Sequence, residues 1–181
     1  MKPKDFSSLH SVKLDFIEPM YARLVQNLPE GKDWLYEVKF DGYRCVAGRD
    51  TKGVTLWSRR ENPFTNQFPH IVDACERLPS GTLIDGEIVA VDENGWVSFN
   101  LLQHHRSKAQ ALLFYVFDVL AYNGRSVLNE PLEGRRKILS EIFNGIKAAP
   151  IALSETLNAN TKELVRVAKE FGFEGIVAKR K

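Results

Sequence analysis

Two short runs, residues 43–48 and 54–58, are separated by the polar turn Asp50-Thr51-Lys52-Gly53. A connection of that length joins antiparallel strands only, because parallel neighbours need a crossover of about a dozen residues or more. The pair therefore reads as a hairpin and sets the rhythm of the chain. Residues 82–91 and 112–120 are two further apolar runs; the second, the most apolar of all, reads as a central strand ended by the Asn123-Gly124 turn. Strands and helices do not alternate as they do in a doubly wound parallel sheet. The pattern predicts an α+β fold of mainly antiparallel sheets with helices packed against them.

Helices are expected where apolar residues recur with a period of about 3.6. Ile71, Val72, Ala74, Cys75 and Leu78 mark one short helix, stopped by Pro79-Ser80-Gly81. Residues 99–107 suggest a second. Residues 131–143 suggest a third, with Pro131 in its first turn, Leu132, Leu139, Ile142 and Phe143 inward, and Arg135, Arg136 and Lys137 outward. Residues 161–171 suggest a fourth that buries Leu164, Val165, Ala168 and Phe171, with Asn160 and Glu163 as a capping box and Gly172 as its C-terminal glycine. Residues 151–153 read as a short strand and residues 174–181 as the start of a last one. The lead-in, residues 1–33, is poorly periodic, and its apolar island Phe16-Ile17-Glu18-Pro19-Met20 is expected to pack on the domain.

A chain of 181 residues, 44% apolar and 27% charged, suffices for one domain with a full core. Its net charge of +2 does not announce a nucleic-acid binder, although Arg59-Arg60, Arg135-Arg136-Lys137 and Lys179-Arg180-Lys181 are local basic clusters. Cys45 and Cys75 lie in apolar text without metal-ligand spacing, which fits a reducing cytoplasm. His104 and His105 would point about 100° apart on a helix and so cannot share a metal there. No apolar run reaches the roughly 18 residues that span a bilayer, and the start lacks a signal-peptide core. A soluble, intracellular protein with no membrane partner is expected.

Chemistry concentrates in residues 34–44. Period-two alternation puts Trp34, Tyr36, Val38 and Phe40 on a core face and Leu35, Glu37, Lys39 and Asp41 on the other. Two carboxylates then flank one amine. Gly42 breaks the strand where the backbone needs either φ above zero or close approach to a neighbour, and Arg44 returns a fixed cation to the same place. A lysine amine beside other cations can lose its proton and attack phosphorus or a carbonyl. Asp85-Gly86-Glu87, in the middle of an apolar strand, is the second anomaly: buried carboxylates are costly unless paired or bound to something.

Lys39-x-Asp41-Gly42-x-Arg44, then Ser58-Arg59, Asp85-Gly86-Glu87, Tyr115-Val116-Phe117-Asp118 and Glu174-Gly175-Ile176-Val177-Ala178-Lys179 resemble, in order, the motif series of ATP-dependent DNA ligases. The text around residues 16–24 and 173–181 is similar to the ligase domain of bacterial end-joining ligases, ligase D. The resemblance implies the nucleotidyltransferase domain of ligases and capping enzymes, an ATP-grasp-like fold. It implies that Lys39 attacks the α-phosphorus of ATP, releases pyrophosphate and carries AMP. Around it, Glu37, Val38, Lys39, Arg44, Arg59, Glu87, Phe117 and Lys179 would bind the nucleotide. Glu37 would meet the adenine amino group, Arg44 and Glu87 the ribose, Arg59 the ribose and phosphate, Phe117 the adenine face and Lys179 the α-phosphate. Glu174 and Glu87 would serve a magnesium or manganese ion.

The same resemblance implies nicked double-stranded DNA as substrate, end-joining repair proteins as partners, and a bacterial cytoplasm with nucleoid association. It also makes residues 1–181 an adenylation domain shortened before the last motif of the series and without the oligonucleotide-binding-fold domain, so poor sealing by itself is expected. Two other readings stay open at this stage. One is an RNA ligase or capping-type nucleotidyltransferase, and the other a nucleotide-binding module without turnover.

Overall fold

The computed structural model describes residues 9–104, 111–146 and 150–181. Among the described residues nine strands form two sheets, accompanied by four helices. The larger has six strands in the order β3-β2-β4-β5-β6, with β7 alongside β5: β2 (Tyr43–Asp50), β3 (Gly53–Ser58), β4 (Thr82–Val91), β5 (Ala111–Tyr122), β6 (Arg125–Ser126) and β7 (Ile151–Leu153). Only β7 runs parallel to its neighbour. The smaller sheet, β8-β1-β9, is antiparallel throughout and consists of β8 (Thr156–Leu157), β1 (Trp34–Lys39) and β9 (Gly175–Arg180). The mainly antiparallel α+β expectation therefore holds, and the β2–β3 hairpin pairs Asp50 with Gly53 across its turn.

One face of the large sheet carries Cys45, Ala47, Ile84, Ile88, Phe114 and Val116 into the main core. Helices α1 (Pro69–Cys75), α2 (Phe99–Gln103) and α3 (Leu132–Asn144) cover it with Ile71, Cys75, Leu102, Ile138 and Leu139. At one end of the opposite face Val46, Leu83, Leu120 and Ala121 pack under the lead-in residues Val12, Leu14, Phe16 and Ile17, so the expected island packs through Phe16 and Ile17 while Met20 is 84% exposed. Farther along that face lie Arg44, Asp85, Glu87 and Phe117, and Lys179 of the small sheet meets the Phe117 ring.

Gly42 is needed for close approach, not for a positive φ. A Cβ there would lie 2.3 Å from the Ile88 carbonyl oxygen and 3.0 Å from Cγ of Glu87. The expected helix over residues 99–107 ends at Gln103, and His105 to Ser107 fall outside the described residues. Helix α4 (Thr161–Glu170) has its N-cap, where the Asn160 side chain accepts from the Glu163 amide. It buries Leu164 and Ala168, but Val165 is 39% and Phe171 45% exposed. Phe171 lies past the helix end, where it meets Trp96 and Phe173 in place of the core.

Two sequence-based expectations reverse. Glu37 is the one buried residue of β1, at 2% exposure, while Val38 on the presumed core face is only half-buried. Arg135 and Arg136 do not face solvent either; their side chains are 15% and 14% exposed. The cause is helical spacing: residues 132, 135, 136 and 139 lie at i, i+3, i+4 and i+7, one stripe, and Leu132 and Leu139 on it are buried.

Candidate active site

The small sheet supplies one wall of the cleft. Antiparallel register sets Lys39 opposite Gly175, Glu37 opposite Val177 and Leu35 opposite Lys179, so Glu37, Lys39 and Lys179 share a face. Opposite Lys39 there is no side chain at all. Glu174, one residue before Gly175, reaches across and ion-pairs with Lys39; the two side chains are 43% and 41% exposed. Two residues back along β1 the environment closes. Glu37 Oε1 accepts from Arg136 at 3.0 Å, and Oε2 accepts from the Ser154 hydroxyl at 2.9 Å and from Lys179 Nζ at 3.0 Å. Lys179 Nζ also donates to the Phe117 carbonyl at 3.3 Å. Burial holds the Lys179 amine below its ordinary pKa, and Glu37 works against that shift.

The large sheet supplies the other wall. Arg44 lies opposite Glu87, and Glu87 opposite Tyr115. Pairing between β4 and β5 then slips: Gly86 meets Val116 and Asp85 meets Asp118, leaving Phe117 as the extra residue of a β-bulge. Gly86 permits it, since a Cβ there would lie 2.4 Å from the Tyr115 carbonyl oxygen. Phe117 comes under two cations, with the Arg44 guanidinium carbon and Lys179 Nζ each 4.5 Å from its ring centroid. Arg44 is also anchored by two 2.6 Å hydrogen bonds to Asp85 and one of 3.3 Å to the Met20 carbonyl. Burial opposes its charge, but Asp85 outweighs burial and raises the guanidinium above its ordinary value. Arg135 forks onto Asp118 at 2.7 and 3.0 Å. Glu87 is different. Burial pushes its carboxyl up to about 8, and Arg44, Asp85, Lys39 and Glu174 act on it through charge with no hydrogen bond.

The walls meet where Phe40 stacks on Tyr115 at 4.3 Å and 5°. Beside that stack a cavity of about 330 Å³ opens on Lys39 and Glu174, with Trp96, Phe171 and Phe173 on its far side. Glu37, Lys39, Arg44, Glu87, Phe117, Glu174 and Lys179 thus come together. Val38 faces away from Glu37 and Lys39 along the strand. Arg59 stands outside the cluster, exposed on the turn after β3 with its guanidinium carbon 5.6 Å from the Tyr21 ring centroid. Among the described residues no three His, Cys, Asp or Glu side chains converge to hold a metal. The Glu87 and Glu174 pair suits a magnesium-like ion that takes its other oxygens from phosphate and water, not a protein cage. Arg136 and Ser154 are the members that reading the sequence missed. For Arg136 the signal was present in its place on the Leu132–Leu139 stripe; for Ser154, in a linker between two short strands, there was none.

Comparison with known proteins identifies the family and the fold. Residues 19–181 match the ATP dependent DNA ligase domain family. Over 169 residues, 92% of the chain, it is 32% identical to the multifunctional non-homologous end joining protein LigD of Pseudomonas aeruginosa, but spans only 20% of that protein. It is 28% identical to the SPbeta prophage-derived DNA ligase-like protein LigB of Bacillus subtilis, with 91% of the chain aligned to 61% of the relative. Its fold superposes on mycobacterial DNA ligase D complexed with ATP and MES, with a TM-score of 0.70 and 29% identity, covering 81% of this chain and 48% of that one. Among the described residues no helix is long and apolar enough to cross a membrane.

Proposed function

Because the chain belongs to the ATP-dependent DNA ligase domain family, we propose that it is an adenylation domain in which Lys39 takes AMP from ATP for delivery to a DNA nick. The observation that carries this reading is the setting of Lys39. Its amine stands at the mouth of the cleft, paired with Glu174 and facing no side chain from β9, while the cations Arg44 and Lys179 are fixed deeper inside. Glu174 is the acceptor nearest the Lys39 amine. On attack the amine gives up a proton to it; a bond forms from Nζ to the α-phosphorus, and the bond to the pyrophosphate oxygen breaks.

Phosphoryl transfer asks the protein mainly for position and for charges that meet the phosphate oxygens. Lys179 fits the α-phosphate, Phe117 the adenine face, Glu37 the adenine amino group, and Arg44 with Glu87 the ribose. Val38 forms the strand backbone between two of these groups, and Arg59 lies near enough to the lead-in to meet the outer part of the nucleotide. A base that stacks on the face of Phe117 under Lys179 requires that ammonium to move. Glu87 and Glu174 would hold one magnesium or manganese ion, which supplies charge neutralisation to the phosphates. Similarity to a non-homologous end joining protein supports a part in DNA repair; the same reading puts that work in the bacterial cytoplasm, at the nucleoid, with end-joining proteins as partners.

Intact mass after incubation with ATP and manganese tests the reading. An added AMP, mapped to Lys39, is the expected result; a GMP adduct formed from GTP in preference would point to a capping-type enzyme, and no adduct with either would leave a binding module.

A further inference from the structure

Lys179 has two tasks that compete. In this structure it neutralises Glu37, covers Phe117 and donates to a backbone carbonyl. In the proposed reaction it serves the α-phosphate. A carboxylate that is 2% exposed cannot be left without a cation when that one leaves. Arg136 resolves the conflict. From α3 its Nη1 donates to Glu37 Oε1 at 3.0 Å and its Nη2 to the Ser154 carbonyl at 2.8 Å, while the Ser154 hydroxyl donates to Glu37 Oε2 at 2.9 Å. With Lys179 in place the cluster of Glu37, Arg136 and Lys179 carries one net positive charge; with Lys179 withdrawn it is neutral and Glu37 keeps a donor on each oxygen.

We propose that Arg136, seated by Ser154, is a positioning residue that fixes the Glu37 carboxylate toward an adenine amino group and frees Lys179 to move to phosphate. The inference rests on the adenylation reading above. It assigns α3 a part in base selection, since Arg136 ties that helix to β1 and to the β7–β8 link at once. Without Arg136 the one cation left on Glu37 among the described residues is Lys179, which is then held where it stands.

The test compares ATP with inosine triphosphate, which carries an oxygen in place of the amino group, by titrating binding and by following adduct mass on the wild-type chain, R136Q and R136K. Wild type is expected to bind ATP at least roughly tenfold more tightly than the inosine nucleotide. R136Q should bring that ratio close to one and slow adduct formation at saturating ATP, and R136K should restore much of both. In E37Q, adding R136Q should change the ratio little further, because Arg136 acts through Glu37. If R136Q does not fold by thermal melting, S154A, which removes one donor without adding bulk, should lower the same ratio. A wild-type ratio in folded R136Q, or in S154A where R136Q fails to fold, overturns the inference while leaving the adenylation reading intact. Absence of any adduct on wild-type protein would overturn that reading instead, and the binding ratios would still decide the role of Arg136.

Discussion

The two walls of the cleft present carboxylates in opposite states. On the small sheet Glu37 is almost fully buried, accepts three hydrogen bonds and is flanked by two cations. On the large sheet Glu87 is pushed up to about 8 and holds no hydrogen bond with the groups that act on it. A buried carboxylate with its donors already in place is part of the fold. A partly exposed one that takes no hydrogen bond from the groups acting on it is in place for something that arrives later. The small sheet therefore contributes preorganisation and the large sheet contributes the surface at which a ligand still has work to do. The lip between them, Lys39 with Glu174, is the most open part of the three.

The largest effect should come at that lip. Lys39→Ala removes the only proposed nucleophile, so the AMP adduct should vanish by intact mass. Lys39→Arg should be equally silent, because a guanidinium does not deprotonate in a protein. Neither change should lower the melting temperature much, given how exposed Lys39 is. An adduct persisting in either variant would assign the chemistry to another residue. Next in size is Glu37→Ala, which leaves Arg136 and Lys179 facing each other without their anion. Removing one member of a buried charged pair costs about 3–5 kcal/mol, and denaturant titration should find a loss in that range. A loss below about 1 kcal/mol, the scale of an exposed pair, would mean that the closed wall is not closed in solution.

How much of this was legible in the sequence follows from the range of the contacts. The hairpin, the central strand and the helix positions depend on neighbours a few residues apart, and alternation and turn chemistry exposed them. Lys39, Arg44, Glu87, Phe117, Glu174 and Lys179 were legible because an ordered motif series resembles a family. What period-two reasoning could not supply was the environment of Glu37, whose partners lie 99, 117 and 142 residues away along the chain. The strand pattern showed a polar face but not what would cover it. Arg135 and Arg136 were misplaced because charge was weighed above spacing, although their positions matched the buried stripe. The bulge that presents Phe117 was not visible either, since only the β4 pairing shows that Phe117 has no opposite number.

A smaller effect should separate the walls by affinity. Phe117→Ala removes a ring from the bulge, and loss of one base stacked on an aromatic side chain costs about 1–3 kcal/mol. Calorimetric titration with ATP, on protein shown to be folded, should record a weakening of that size. Unchanged affinity would make Phe117 a perch for Arg44 and Lys179 and nothing more. The same titration on Phe114→Ala, whose ring is fully buried on the opposite face, should show a stability loss without a specific loss of affinity.

The smallest effect is a dependence on pH, and its sign follows from Glu87. In the folded chain without metal or nucleotide this carboxyl titrates near 8, against an ordinary value of 4.5, with burial the leading cause. Between those two values the folded chain holds a proton that the unfolded chain has released. Stability must then fall as pH rises through that window, because the slope follows the protons bound in the unfolded state minus those bound in the folded state. The contribution is fully present below pH 4.5 and gone above 8. Since the side chain is partly exposed, we expect about 1–2 kcal/mol across the window, well short of the full linkage value. Melting curves in chelator from pH 5 to 8.5 should therefore show a downward component that Glu87→Gln removes, because the amide keeps the shape and cannot ionise. If Glu87→Gln leaves the slope untouched, the carboxyl has a partner in solution and the large sheet is as closed as the small one.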